Sequence, residues 1–307
     1  MVIVNYLFMC LIFGTTFLAI KIGVDAGLPP FFSASVRFFV AGFVLFIVMT
    51  VRKKASFRVL WSKESVITGG LLTFGTFSTL YWAEQYVSSG IGAVLSATGP
   101  LMILCLQSVL LKQKLSKQSL IGCLISFCGV GLLLLPNMTA TFSVIWMTAC
   151  LLIFIGEIGY AGGAIYSKNV TKRFPTTSPI LLNACQMMYG GLFLFLLSLC
   201  TETVHIENIS EPKAVGSLLY LTIFGSMIAH TLFYWLVSKT DPIFPSTWLY
   251  VSPLIALAVG KFVYNEFVSW IMVVGGVTII IGLLVINFQA LRKMTRRQEQ
   301  KTELLNQ

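Results

Sequence analysis

Long apolar runs separated by short polar gaps make up almost the whole chain. Ten such runs can be marked, at about residues 3–23, 31–51, 65–86, 90–111, 118–136, 143–167, 178–200, 214–238, 243–262 and 268–289. Each approaches the roughly 20 residues that an α-helix needs to cross the hydrocarbon of a bilayer. The gaps are short and leave no room for a soluble domain. The pattern predicts an all-α polytopic membrane protein with ten transmembrane helices. The first run, residues 2–22, has neither the basic start nor the small-residue cleavage pattern of a signal peptide and reads as a retained helix.

The polar gaps are not alike. Arg52, Lys53, Lys54, Arg58 and Lys63 follow the second run; Lys112, Lys114 and Lys117 follow the fourth; Lys168, Lys172 and Arg173 follow the sixth. Lys239 follows the eighth, and Arg292, Lys293, Arg296, Arg297 and Lys301 lie in the tail. The intervening gaps carry only Lys213 and Lys261. Basic connections stay on the cytoplasmic side, so the expectation is a multi-pass protein of the cell membrane with both termini cytoplasmic.

The unusual residues recur. Tyr81-Trp82 returns 153 positions later as Tyr234-Trp235, Pro100-Leu101 as Pro253-Leu254, Ser116 as Ser269, Gly122 as Gly275 and Gly129 as Gly282. The matches fall on residues with steric roles, which argues for a doubled unit. The halves are read as residues 1–137 and 138–290, followed by a basic cytoplasmic tail at 291–307. Five helices per half is an odd number, so the second copy is expected to enter the membrane inverted. The loop charges agree. Arg52 to Lys63 is basic, whereas its counterpart Thr201 to Lys213 carries Glu202, Glu207 and Glu211; Lys112-Gln113-Lys114 becomes Tyr264-Asn265-Glu266.

Composition narrows the function classes. With 57% hydrophobic and 10% charged residues among 307, and a mean hydropathy of +0.88, there is too little polar surface to coat a soluble globule. The net charge of +10 lies in the connections, where it orients the chain, and is not read as a nucleic-acid surface. Seven cysteines scattered through apolar runs, without metal or redox spacing, read as small buried hydrophobes. No GxxxxGK[ST] nucleotide loop is present, and no cofactor or metal site is indicated.

Phe13-Gly14-Thr15-Thr16-Phe17, Lys21, Pro30 and Arg37, with Pro100 and the Gly122/Gly129 pair, give the chain its resemblance to the EamA family of the drug/metabolite transporter superfamily. The resemblance spans essentially the whole chain. It implies ten helices as two inverted five-helix repeats around a central cavity, and export of small metabolites such as amino acids. The chain departs from the family pattern at Phe13, where Trp is usual, and at Gln113, where an acidic residue is common; Glu266 keeps that acid in the second repeat.

Charge in hydrocarbon costs about 3 kcal/mol on insertion scales, so intramembrane ionisable groups mark candidate sites. Glu157 lies near the middle of the sixth run beside Gly156, Gly159, Gly162 and Gly163, which let a neighbouring backbone or a ligand come close. It is a candidate proton carrier, or else a permanently protonated structural hydrogen-bond donor. His230 is expected at a similar depth, sharing a proton with Glu157 or contacting a polar ligand with it, or else acting as a structural donor. Arg37, Lys21 and Glu84 are read as an ion network in the outer half that closes one gate, with Arg37 alternatively holding a solute carboxylate and both Lys21 and Arg37 alternatively snorkelling to the interface. In the register that aligns Pro30 with Pro179 and Gly42 with Gly191, Gln186 takes the place of Arg37. Pro100 and Pro253 fall inside the fourth and ninth runs and should free the carbonyls of Ser96 and Leu249 at a central cavity, or else only kink the helices for packing. The two Tyr-Trp pairs read as interface anchors.

The candidate solute pathway is thus Glu157, His230, Arg37, Pro100, Pro253 and Ser96. The expected activity is secondary transport of a small organic solute; a polytopic membrane transferase or a channel is the alternative. A transferase needs His clustered with Asp or Glu, and the chain has only two His, His205 and His230. No filter motif for a channel is visible. The expected partners are the small-molecule solute, membrane lipid and, as an open option, a second copy of the chain in a homodimer, with no nucleic acid.

Overall fold

The computed structural model describes residues 1–110, 112, 116–135, 143–204, 211–255 and 269–286. Among them the regular structure is helical, and ten longer helical segments follow one another along the chain, with one short turn of helix, Phe57–Leu60, between the second and the third. α1 is Val2–Asp25 and α2 is Pro30–Val51. α3 is built from Lys63–Thr68, Gly69–Gly75 and Thr76–Ala83 end to end. α4 is Ser89–Leu110, α5 is Lys117–Leu134, α6 is Val144–Arg173 and α7 is Pro179–Thr201. α8 is Pro212–Lys239, α9 is Ile243–Ile255 and α10 is Trp270–Ile286. Six of them (α1, α2, α4, α6, α7 and α8) are long and apolar enough to cross a bilayer, and the chain is a polytopic membrane protein. Gln113, Lys114, His205, Glu207, Lys261, Glu266, the expected boundary at 137/138 and the basic tail lie outside the described residues.

Local chemistry sets where the helices begin. Pro30, Pro179 and Pro212 occupy first helical positions, where a missing N–H costs nothing. Ser62, Ser88, Ser116, Ser143 and Ser178 each accept a hydrogen bond from a first-turn N–H, an arrangement that contributes about 1 kcal/mol per helix. Large apolar side chains such as Leu7, Leu11, Phe43, Ile47, Leu196 and Leu199 point outward, as on a bundle whose solvent is lipid. The cysteines divide instead of being uniformly buried: Cys10, Cys123 and Cys185 are inside, whereas Cys105, Cys128 and Cys200 are exposed. Apolar surroundings tolerate a thiol on either side of a membrane helix.

Two seams hold the bundle. In the first, α2 packs on α7: a Cβ on Gly42 would lie 2.7 Å from the carbonyl oxygen of Ala184, and one on Gly191 would lie 2.6 Å from the amide nitrogen of Phe39. Only glycine allows the backbones to come so close. In the second, α5 packs on α10, with Ser126 Oγ donating to the carbonyl of Ile279 at 3.3 Å, a residue 153 positions away. That pair forms a small core of its own with Ala97 and Leu104 of α4 and Tyr250 of α9.

Within this frame α3 and α8 deviate alike. Each contains a π-helical stretch, Gly69–Gly75 in α3 and Leu221–Ala229 in α8, and the 153-residue shift carries the first inside the second. α4 is interrupted at Ala97 and Thr98, between Ser89–Ser96 and Gly99–Leu110. Pro100 therefore stands in the first turn of a new helical segment, where it removes no helical hydrogen bond. α9 turns at Thr247, and Pro253 is buried inside its second part. Tyr81 and Tyr234, expected as interface anchors, are fully buried instead. The Trp of each pair is only half-buried.

Candidate functional site

A cavity of about 40 Å3 lies among α1, α2, α3, α4, α6, α8 and α9. Phe13, Phe17, Phe77, Phe233, Tyr160 and Trp248 form most of its wall. Its polar groups come from Thr16, Arg37, Thr76, Ser96, Glu157 and His230. Four of the six residues singled out from the sequence thus meet here. Pro100 and Pro253 do not line it, whereas Ser96 and Leu249, each four residues before a proline, do. The space takes a few water molecules and not an amino-acid-sized solute, so this conformation is closed around its centre.

Glu157 is 3% exposed. Its carboxyl lies beside the side chain of Ser96, and Oε2 has no hydrogen-bond partner among the described residues. Oε2 lies where α4 is interrupted: a Cβ on Gly99 would stand 2.6 Å from it. The glycines around Glu157 serve the neighbouring backbone and not the cavity, since Gly156 packs on Thr79, Gly159 on Gly75 and Gly163 on Leu72, all in α3.

Arg37 is fully buried, so it does not snorkel. Nε donates to Ser226 Oγ at 2.9 Å and Nη1 to Tyr81 OH at 3.0 Å. The guanidinium lies over the rings of Phe38 and Phe77, 4.6 and 5.2 Å from their centroids, a cation–π arrangement. Among the described residues no carboxylate comes within ion-pair distance of it. The expected network of Arg37, Lys21 and Glu84 side chains is therefore not formed. α1 continues to Asp25, which supplies Lys21 with an ion-pair partner one turn away at 2.8 Å. Lys21 Nζ also donates to the backbone carbonyl of Glu84 at 3.0 Å, where the C-terminus of α3 attracts a cation.

His230 Nδ1 lies 2.9 Å from the carbonyl oxygen of Gly225. A carbonyl only accepts, so Nδ1 carries the hydrogen and Nε2 of the neutral ring is left as an acceptor. The ring stands edge-on to Phe13 and Phe38. His230 and Glu157 thus share the cavity while bonding to different partners.

A fully buried cation with no carboxylate partner among the described residues thus faces the same cavity as a buried carboxyl whose Oε2 has no partner there. Comparison with known proteins bears on what this candidate site belongs to. The model of the EamA-like transporter family matches residues 1–135 and again residues 147–288. The chain belongs to the EamA-like transporter family. It is a membrane transporter made of two duplicated halves, and not an enzyme. It is 31% identical over 264 residues to the uncharacterized inner membrane transporter YedA of Escherichia coli, covering 84% of this chain and 81% of that one. It is 26% identical over 280 residues to the protein PagO of Salmonella typhimurium, covering 91% and 90%. A solved crystal structure shares the fold, with a TM-score of 0.73 at 17% identity over 94% of this chain and 97% of the other.

In this EamA-like transporter the aromatic lining went unread in the sequence. Tyr160 follows Glu157 by three residues and so shares its helix face, a signal that was available. Tyr160 OH donates to Ser246 Oγ at 2.9 Å and accepts from Trp248 Nε1 at 3.3 Å, tying α6 to α9. Trp248 lies tilted against Phe13 at 4.5 Å between centroids, and nothing in their spacing announces that contact. At the opposite end from Lys21, Lys168 of α6 donates to the carbonyls of Val237 and Thr240 at 2.8 and 2.6 Å, so the first helix of each matched half ties down the end of a third helix.

Proposed function

We propose that this transporter is a secondary exporter of a small organic metabolite, an amino acid being the class that fits best, working by proton exchange across the cell membrane. The observation that carries this reading is Arg37, wholly buried and without a carboxylate partner among the described residues, opening on the same cavity as Glu157. A zwitterionic solute places its carboxylate on the planar fork of Arg37 and its ammonium on Glu157, and its apolar part meets Phe13, Phe17, Phe233 and Trp248. Relatives named as inner membrane transporters support the location.

The two halves, 1–137 and 138–290, are read as inverted five-helix repeats. Equivalent π-stretches, the paired seams and the loop charges support that arrangement, with both termini cytoplasmic. Alternating access then opens the closed cavity to one side at a time. A carboxyl at Glu157 is costly when charged in a dry site, so it takes a proton when the solute's ammonium departs and gives the proton up when the ammonium returns.

The test is Glu157→Gln in proteoliposomes, using a panel of amino acids as solutes. The variant keeps the shape and cannot titrate. It is expected to retain solute-for-solute exchange and to lose accumulation driven by a pH gradient. Normal proton-driven accumulation by Glu157→Gln sinks the coupling role and leaves a structural hydrogen-bonding residue.

A further inference from the structure

We propose that Glu84 is a second proton-binding site of this transporter, separate from Glu157, at the end of the cavity marked by Lys21. Glu84 follows the last turn of α3 and is fully buried. Neither of its carboxyl oxygens has a hydrogen-bond partner among the described residues. Oε1 lies 3.6 Å from the point where a Cβ on Gly92 would stand, and two cavity-lining side chains, Leu80 and Phe17, reach the same point at 3.7 and 3.8 Å. The carboxyl therefore sits directly behind the cavity wall.

Comparison of the two halves shows that the fold does not ask for a carboxyl there. Lys21 Nζ donates to the carbonyl of Glu84 at 3.0 Å, and Lys168 Nζ donates to the carbonyl of Val237 at 2.8 Å. Val237 is 153 positions after Glu84 and equally buried. The backbone of both residues does the same work, ending a third helix under a lysine, and in one half a valine does it. What Glu84 adds is chemistry.

The charged and titratable groups that act on it are Lys21 and Asp25 from α1, Arg37 from α2 and Tyr81 from its own helix. With the end closed, Lys21 is engaged by Asp25 and the Glu84 carbonyl, so a charged Glu84 would lie buried without a donor and the carboxylic acid is favoured. Opening this end parts Lys21 from the Glu84 carbonyl and admits water. The O–H bond of the acid then breaks, the proton passes to water on that side, and the carboxylate is hydrated there. Closure reverses each step.

The proposal rests on the transporter reading only for the idea that this end opens, and its test reads proton binding itself. The infrared C=O band of protonated carboxyls is recorded across a pH series for purified protein in nanodiscs, comparing the parent with Glu84→Gln, Glu84→Val and Glu157→Gln. A component that declines with rising pH is expected in the parent and in Glu157→Gln, and is expected to be lost in both Glu84 variants, which keep the parent's melting temperature. An unchanged titration in the Glu84 variants, or a component that they remove but that never titrates in the parent, overturns the proposal. So does a failure of both Glu84 variants to fold, because the carboxyl would then be a structural requirement. The proton-driven transport assay on Glu157→Gln is separate, so either reading can fail alone.

Discussion

Arg37 Nε donates to Ser226 Oγ at 2.9 Å, and through this bond the second helix of one half grips the third helix of the other. The reciprocal place is filled by a neutral pair: Thr73 Oγ1 donates to Gln186 Oε1 at 2.8 Å. Ser226 lies 153 positions after Thr73, and Gln186 lies 149 after Arg37, the shifts that align α3 with α8 and α2 with α7. The fold needs a polar bridge at both crossings and a charge at neither, so the guanidinium is present for another reason.

Arg37→Gln should therefore fold and fail to transport. Gln already spans the equivalent crossing, so the melting temperature should stay within a few degrees of the parent, a shift on the order of 1 kcal/mol or less for a domain of this kind. Uptake of carboxylate-bearing solutes should fall at least about tenfold, the loss of one charge-assisted bond of ~1.5 kcal/mol or more. Full activity on such solutes would show that Arg37 does not bind them.

Gly225 leaves the space in which the guanidinium lies. A Cβ there would stand 2.9 Å from Arg37 Nη2, too close unless the arginine moves. Gly225→Ala is expected to raise the KM for solute while the protein remains folded, and Gly225→Val to abolish transport. An unchanged KM in Gly225→Ala would show that the position of the guanidinium is not critical.

Lys21 and Lys168 tie first helices to third helices at opposite ends of the bundle. Removing one tie should favour opening at its own end. Cysteine accessibility measured on a cysteine-free background should rise at the Lys21 end in Lys21→Met and at the Lys168 end in Lys168→Met. Equal changes at both ends in either variant would show that the lysines hold the bundle generally and gate nothing.

The orientation is open to direct measurement. A cysteine at Glu207 should react with an impermeant thiol reagent applied outside intact cells, and one at Arg296 should react only after permeabilisation. The reverse pattern would place both termini outside.

The α2–α7 seam should be sensitive to added bulk. Gly191→Leu forces side-chain bulk to within 2.6 Å of the Phe39 backbone, where neither helix can give way without parting. Overpacking of this kind costs about 1–3 kcal/mol or more. The detergent-solubilised variant should melt several degrees lower, and an unchanged melting temperature would mean that the seam relaxes freely.

Much of this architecture is legible in the residue pattern because a bilayer imposes blunt rules. Apolar runs of spanning length mark the helices, basic gaps suggest the orientation, and recurring Trp, Pro and Gly betray the doubled unit. The same bluntness exposes Arg37, Glu157 and His230, since ionisable groups in hydrocarbon are costly enough to stand out by residue type alone. Partners and faces are another matter. α1, α2 and α7 are apolar all round, so periodicity does not separate the side that meets protein from the side that meets lipid. Hence Tyr81 and Tyr234 read as anchors and prove to be core, and Phe13, Phe17 and Trp248 gave no sign that they form one wall.

Likewise, Lys21 had two carboxylates within plausible reach, and only the length of α1 and the end of α3 assigned it to Asp25 and to the carbonyl of Glu84. The isolation of Glu84 follows from that choice and is invisible in one dimension. Composition and spacing determined that this chain is a doubled bundle of membrane helices with buried charge. Which charges lack a partner among the described residues was decided by how the helices pack, because pairing depends on a few ångströms of approach between residues far apart in the chain.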